Sequence, residues 1–323
     1  MTPALRKLLR KTAPTVSEID AFIRDNEFPL VDGTDVTFVY RGSADSVNLR
    51  CWISGLDTAQ PFQALPGTDL WATTIELPKG SRIEYKFEVT HQGQRNLILD
   101  PLNDVVAHDP FGANSVCQGF GYERPEWATH DPLSRVGTLE SRRLDSTAFQ
   151  EHRDIQVYLP ATFRKNRRYP LLIVHDGDDY LRYADLKFVL DNLTHRLEIP
   201  SMIVALTQSP DRLNEYAGND KHAQFLVDDL LPFMTAEYPL MDSVDARCVM
   251  GASFGGVASL HAAWRYPGHF GNLLLQSGSF AFSDLGRHSR GPVFDPVVRF
   301  MNEFREHPGR PAGRVFMSCG VYE

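Results

Sequence analysis

The stretch with the most chemistry in it is GASFG, Gly251 to Gly255, with Ser253 at its centre. A serine at a sharp turn from strand to helix is held in strained backbone geometry with its hydroxyl lifted clear. Glycines flank it because neighbouring chain passes too close for side chains. The apolar run Arg247-Cys248-Val249-Met250 leads into the turn, and the small-residue helix pattern Gly256-Val257-Ala258-Ser259-Leu260 leads out. Ser253 is therefore expected to be a nucleophile for acyl transfer; the competing reading is a glycine-rich turn with no chemical role.

Acyl transfer needs a base to take the serine proton and donors aimed at the oxyanion of the tetrahedral intermediate. One expected donor is the backbone N–H of Phe254. The second is expected from the loop His175-Asp176-Gly177-Asp178-Asp179-Tyr180 after the apolar run Leu171 to Val174, with Gly177 allowing the turn and Asp178 giving its N–H. Three carboxylates there suggest a metal site. No histidine or carboxylate motif stands at ligand spacing elsewhere, so a structural, solvated role is expected for them, with no metal and no cofactor.

The elements that must position these groups follow from periodicity. Ile155–Leu159, Leu171–Val174, Met202–Leu206, Cys248–Met250, Leu273–Leu275 and Val315–Met317 read as strands. Helical patterns lie between most of them, notably Asp185 to Arg196, His222 to Tyr238 and Gly255 to Tyr266. This order predicts an α/β domain over residues 135–323, a mainly parallel sheet with helices on both faces and Ser253 at the carboxyl end of a central strand.

Before it, the period is two. Val36, Phe38 and Tyr40, then Val47, Leu49, Cys51 and Ile53, then Ile83, Tyr85, Phe87 and Val89 alternate with polar residues, with turn signals such as Gly42-Ser43, Gly55 and Pro66-Gly67 between them. A small β-sandwich is expected over 30–120, and Trp52 and Trp71 are read as filling its core rather than stacking on a ligand. Residues 121–134, rich in proline and polar side chains, read as a linker. Residues 1–29 read as a helical lead-in: Leu5, Leu8 and Leu9 recur at helical spacing, and Thr15 with Glu18 forms a capping box.

The chain has 323 residues, 33 Lys plus Arg against 41 Asp plus Glu, and a net charge of -8. That balance argues against nucleic acid or an anionic membrane as partner. No apolar run is long enough for a signal peptide or a membrane span, and the four scattered cysteines, Cys51, Cys117, Cys248 and Cys319, form no metal or redox spacing. A cytoplasmic setting with free thiols and a small-molecule substrate is expected; the oligomeric state is left open.

Together the motifs resemble the enterochelin (ferric enterobactin) esterase family within the esterase-D-like α/β-hydrolases. In the first half the likeness rests on TDLW (68–71), EYKFEV (84–89), DPLN (100–103) and FGANSV (111–116). In the second it rests on VYLP (157–160), LLIVHDG (171–177), DRLNEY (211–216), GASFGG (251–256) and FGNLLLQSGSF (270–280). The resemblance implies an α/β hydrolase preceded by an immunoglobulin-like early-set β-sandwich that helps shape the substrate site. It implies ester hydrolysis through an acyl-enzyme on Ser253, with a cyclic trilactone siderophore as substrate and iron present only as part of that siderophore. Arg212 and Glu215 match the family's Arg-x-x-Glu pattern near the site; a local ion pair that orders a loop is the alternative. Tyr180 and Tyr216 join them as candidate substrate-binding residues.

The pattern departs from the family at the end. The fold places nucleophile, acid and histidine in that chain order. Here Glu323 matches the acid position and the Gly-Gly-His loop is absent, so the chain is expected to be a fragment or a truncated product with little activity. Of the histidines present, His261, His269 and His307 fall on the exit helix or at the wrong end of the strands, and His175 reads as structural. His288 is the one that topology places at the active-site end. Three functions fit these residues: a siderophore trilactone esterase, a feruloyl, acetyl or other small-molecule acyl esterase, and a non-catalytic hydrolase-fold binding protein. Against the first, the acidic chain carries Asp176, Asp178 and Asp179 beside the oxyanion loop, opposing an anionic substrate unless arginines such as Arg182 and Arg212 dominate.

Overall fold

The computed structural model describes residues 2–9, 14–51, 57–129, 131–285 and 291–320. They fall into two compact units that divide between Pro125 and Glu126, inside the stretch read as a linker. From Glu126 onward that stretch packs on the second unit. The Asn192 amide donates to the carbonyls of Trp127 (2.8 Å) and Thr129 (3.1 Å), and Ser134 Oγ donates to Asn192 Oδ1 (2.7 Å).

In the first unit the helix Val16–Arg24 opens on the expected capping box. Thr15 Oγ1 accepts from Glu18 N at 3.3 Å, and Thr15 N donates to Glu18 Oε2 at 2.9 Å. Its Ile19 and Phe22, with Leu5 and Leu8 of the helix Pro3–Leu9, cover Val39, Leu70 and Ala72 on one face of a four-stranded antiparallel sheet. The opposite face, with Val36, Phe38 and Ile75, shares one core with Val47, Leu49, Ile83, Tyr85 and Phe87 of a six-stranded antiparallel sheet. Trp71 lies against that core and its indole N–H donates to Gly42 O at 3.1 Å. Trp52, Ile53 and Gly55 lie outside the described residues.

Among the described residues of the second unit, seven strands form one mixed sheet. They are β1 (Thr138–Ser146), β2 (Glu151–Leu159), β3 (Leu171–Val174), β4 (Ile203–Thr207), β5 (Arg247–Ala252), β6 (Asn272–Gln276) and β7 (Arg314–Ser318), in the order β1-β2-β4-β3-β5-β6-β7. β1 and β2 are antiparallel, and β4 through β7 run parallel. β2 begins four residues before the expected Ile155, and β1 was not expected.

Alternation along the inner strands makes two cores. Ile173, Ala205, Val249 and Leu273 pack with Val257 and Ala258 of the helix Phe254–Arg265. Leu172, Val174, Leu206 and Met250 pack with Leu186 and Leu190 of the helix Leu186–His195. Helices thus cover both faces, as a nearly all-apolar parallel strand requires. The helix expected from His222 to Tyr238 is one axis in three segments: Asp220–Gln224, a π-helical turn Phe225–Leu230, and Leu231–Glu237.

Candidate active site

Ser253 follows β5 directly and caps the helix Phe254–Arg265. Its φ of 55° and ψ of -120° lie where a non-glycine residue is rare and strained. Backbone bonds to the next strand and its loop hold it there: Ser253 N donates to Gln276 O (3.0 Å) and Ser279 N donates to Ser253 O (3.1 Å). The flanking glycines are needed for space. A Cβ on Gly251 would stand 2.3 Å from the backbone carbon of Gly255, and one on Gly255 would meet His175 Cβ at 3.2 Å. Phe254, the first residue of the helix, carries one of the first-turn N–H groups that the helix itself leaves without an acceptor.

The loop expected to supply the second oxyanion donor is more constrained than its composition suggests. Asp176 adopts a left-handed φ of 55° and precedes the helix Gly177–Tyr183. Gly177 is required by close approach, since a Cβ there would come 2.4 Å from Leu206 Cβ. Two expectations need correction. The Asp178 N–H is not open: it donates to the side-chain oxygen of Gln208 at 3.3 Å. Asp176 is not solvated: it is buried, because Arg212 returns to it in a two-pronged ion pair with both N···O distances 2.8 Å. Arg212 also reaches Ala252 O at 3.4 Å, and its guanidinium carbon lies 5.9 Å from the Phe254 ring. Arg182 lies over Tyr183 at 5.2 Å. Burial alone would lower the Arg212 pKa, yet it is raised because Asp176 holds the charge. Asp179 is pushed up by burial and by Asp176.

Arg212 and Glu215 therefore do not pair with each other. Glu215 is buried and bound by Arg153 at 2.7 and 3.0 Å. Burial would raise its pKa, but the two bonds from the Arg153 guanidinium hold it down to about 2. Tyr216 is fully buried, and its hydroxyl accepts a long bond from Asp176 N at 3.4 Å, so it supports the loop. Tyr180 donates to Gln276 Oε1, joining the oxyanion loop to the end of β6.

His175 sits behind the elbow with its Nδ1 3.1 Å from Met250 O and 3.0 Å from Ser259 Oγ, whose own proton goes to Gly255 O at 2.8 Å. The carbonyl accepts only, so Nδ1 of His175 carries the hydrogen and Nε2 accepts from His222 Nε2, 2.9 Å away. His222 Nδ1 is then a bare lone pair. It stands 3.8 Å from Glu215 Oε2, beyond hydrogen-bond length, as two acceptors must. Burial lowers the pKa of both histidines, His175 well below the ordinary imidazole range, and His222 lowers His175 further. Neither ring reaches Ser253.

Among the described residues the hydrogen-bond partner of Ser253 Oγ is Ser279 Oγ, at 2.8 Å. His261 faces Asp220 (3.5 Å), His269 Nδ1 faces Tyr266 O (3.2 Å), and the carbonyl of His307 accepts from Trp264. His288 and Glu323 lie outside the described residues. No cluster of three or more His, Cys, Asp or Glu that would hold a metal occurs among the described residues, and no helix among them is long and apolar enough to cross a membrane. Sequence reasoning missed Ser279, Gln276, His222 and Arg153. Only Ser279 and Gln276 had a signal, the segment FGNLLLQSGSF.

A strained serine between parallel strand and helix, in a mainly parallel sheet, is the arrangement of an α/β hydrolase-like fold. The family model described as "Putative esterase" matches residues 146–318, and the chain belongs to that family. It is similar to the iron(III) enterobactin esterase of Escherichia coli K12, 27% identical over 305 residues that cover 81% of this chain and 74% of that protein. The protein of the same name in Dickeya dadantii is 26% identical over 263 residues, covering 70% and 59%. The enterobactin esterase of Shigella flexneri, solved in the presence of enterobactin, has the same fold: TM-score 0.69 at 20% identity, with 94% of this chain and 93% of that chain covered.

Proposed function

We propose that this protein is a serine esterase that hydrolyses the trilactone ester bonds of a catecholate siderophore, with Ser253 as the nucleophile. The observation that carries this reading is the backbone of Ser253, φ 55° and ψ -120°, a strain that a serine needs at an elbow and a turn does not. Membership of the esterase family supports the reaction class, and the names of the relatives support the substrate class. Asp176 bears on the substrate as well: paired with Arg212, it no longer opposes an anionic ligand. The oxyanion donors in this reading are the N–H groups of Phe254 and, once Gln208 turns away, of Gly177 or Asp178. Glu323 stands at the position that matches the family's acid, and His288 is the one histidine that topology puts at the active-site end, with nothing in the sequence to fix its orientation. Because Ser253 Oγ meets Ser279 and no imidazole among the described residues, slow turnover is expected. The reading includes a cytosolic role in iron release and an immunoglobulin-like early-set type for the two-sheet first unit.

Fluorophosphonate labelling followed by peptide mapping tests the nucleophile. Label on Ser253, absent from Ser253→Ala, is expected; a folded chain that takes no label is a non-catalytic binding protein. Hydrolysis of ferric enterobactin compared with feruloyl esters tests the substrate, and faster cleavage of the feruloyl ester would overturn the siderophore assignment.

A further inference from the structure

The second unit carries a cleft of about 850 Å³ remote from Ser253. Its walls are the loop from Ala161 to Arg167, which precedes β3, and the segment from Thr194 to Ser201, which precedes β4. Both lie where parallel strands begin, whereas Ser253 follows the end of β5, so the cleft occupies the opposite edge of the sheet. Arg135, Arg164 and Arg167 line it, and among the described residues none of the three has a carboxylate within ion-pair distance. The one acidic residue lining it, Glu198, is taken by Arg196 at 2.7 Å. In a chain of net charge -8, three unneutralised arginines around one cleft are not a general property of its surface.

The arginine loop is built rather than loose. Tyr169 is fully buried beneath it; its hydroxyl accepts from Arg164 N (2.8 Å) and donates to Thr162 O (3.2 Å). Phe163 stacks on the same ring at 5.5 Å, and the Arg167 guanidinium lies over it at 5.4 Å. Thr162 Oγ1 and Ser201 Oγ, 3.3 Å apart, tie the two walls together. Leu197, Ile199 and Pro200 add an apolar flank.

We propose that this cleft binds a small organic polyanion of the phosphate-ester class, its charged groups on Arg135, Arg164 and Arg167 and its apolar part against Ile199 and Pro200. Guanidinium forks suit phosphate oxygens, and the volume lies within the range of small-ligand sites. The proposal does not depend on the esterase reading.

Isothermal titration of the full chain with sodium tripolyphosphate in 150 mM NaCl tests it. One-to-one saturable binding is expected. It should weaken at least about tenfold in Arg164→Ser/Arg167→Ser, the loss of one or two charge-assisted contacts. It should be unchanged in Arg299→Ser, an exposed arginine on the helix Asp295–Glu306. If the double variant lacks the native circular dichroism spectrum, Arg135→Ser carries the same expectation. No saturable binding, equal loss in Arg299→Ser, or inorganic phosphate binding as tightly as tripolyphosphate would overturn the proposal. ATP binding more tightly than tripolyphosphate is the result expected for an organic ligand, and weaker ATP binding would sink the apolar flank's assignment.

Discussion

Arg212 and Asp176 meet through two parallel bonds, Nε to Oδ1 and Nη2 to Oδ2, both 2.8 Å, although 36 residues separate them. The pair fastens the loop that begins at Asp176 while the same guanidinium reaches Ala252 O beside Ser253. Misplacing reacting groups by an ångström costs on the order of a hundredfold in rate. Arg212→Ala and Asp176→Ala are each expected to slow fluorophosphonate labelling of Ser253 by about ten- to a hundredfold. The double variant should be no slower than the slower single, since both break one pair. Losses that multiply would show that the two residues act separately.

Gly251→Ala puts a methyl group 2.3 Å from the backbone of Gly255, and neither chain segment has a flexible end to move. The elbow should be lost, with no labelling and a melting temperature lowered by several degrees, as about 1–3 kcal/mol of overpacking implies. Gly313→Ala, whose added carbon would meet Gly271 O at 3.4 Å, is the control expected to keep both. Labelling of Gly251→Ala at the native rate would show that the close approach does not matter.

Acid should destabilise the second unit before its carboxylates titrate. Burial holds His175, His222 and His261 below the ordinary imidazole value, His261 at about 4, with Asp220 opposing. Free imidazoles titrate near 6.5, so between those values the unfolded chain binds protons that the folded chain refuses. Stability is therefore full above about pH 6.5 and falls as the pH drops toward 4, His261 alone contributing about 3 kcal/mol by the lower limit. Glu215, held at about 2, acts in the same direction only below the ordinary carboxylate range. Urea midpoints measured from pH 7 to 4 check this; a flat profile contradicts it, and His261→Gln should reduce the slope.

Asp191 is buried and accepts from Gly137 N (2.7 Å), Tyr158 Oη (2.8 Å) and Lys187 Nζ (2.7 Å). Asp191→Ala leaves three donors without an acceptor and should cost about 3 kcal/mol in chemical denaturation. A loss under about 0.5 kcal/mol would mean that solvent replaces the carboxylate.

The elbow was legible because its signal is local: apolar strand, glycine, serine, glycine and small-residue helix are contiguous, and the structure sets them out in that order. The two-faced parallel strands were legible for the same reason. β1 was not, since TLESRRLDS shows neither period; it is an outer strand held by nine backbone-paired positions and by Arg143 on Asp154 at 2.6 Å. DRLNEY singled out Arg212 and Glu215 but could not name their partners. Asp176 lies 36 residues before Arg212, and Arg153 lies 62 before Glu215. Burial of one charge by another is decided by the return of the chain, which leaves no mark on either segment.

The contact between Gly251 and Gly255 has an evolutionary reading. A side chain at Gly251 would have to displace the backbone of Gly255, and one at Gly255 would press on His175 and, at 3.3 Å, on the carboxylate of Asp176. A substitution at Gly255 thus reaches the Arg212 pair through Asp176, and one at Gly251 reaches it through Gly255. Elbow, oxyanion loop and arginine staple can change only together, so descendants of this chain that trade one ester for another should vary the residues around this block and leave the block whole.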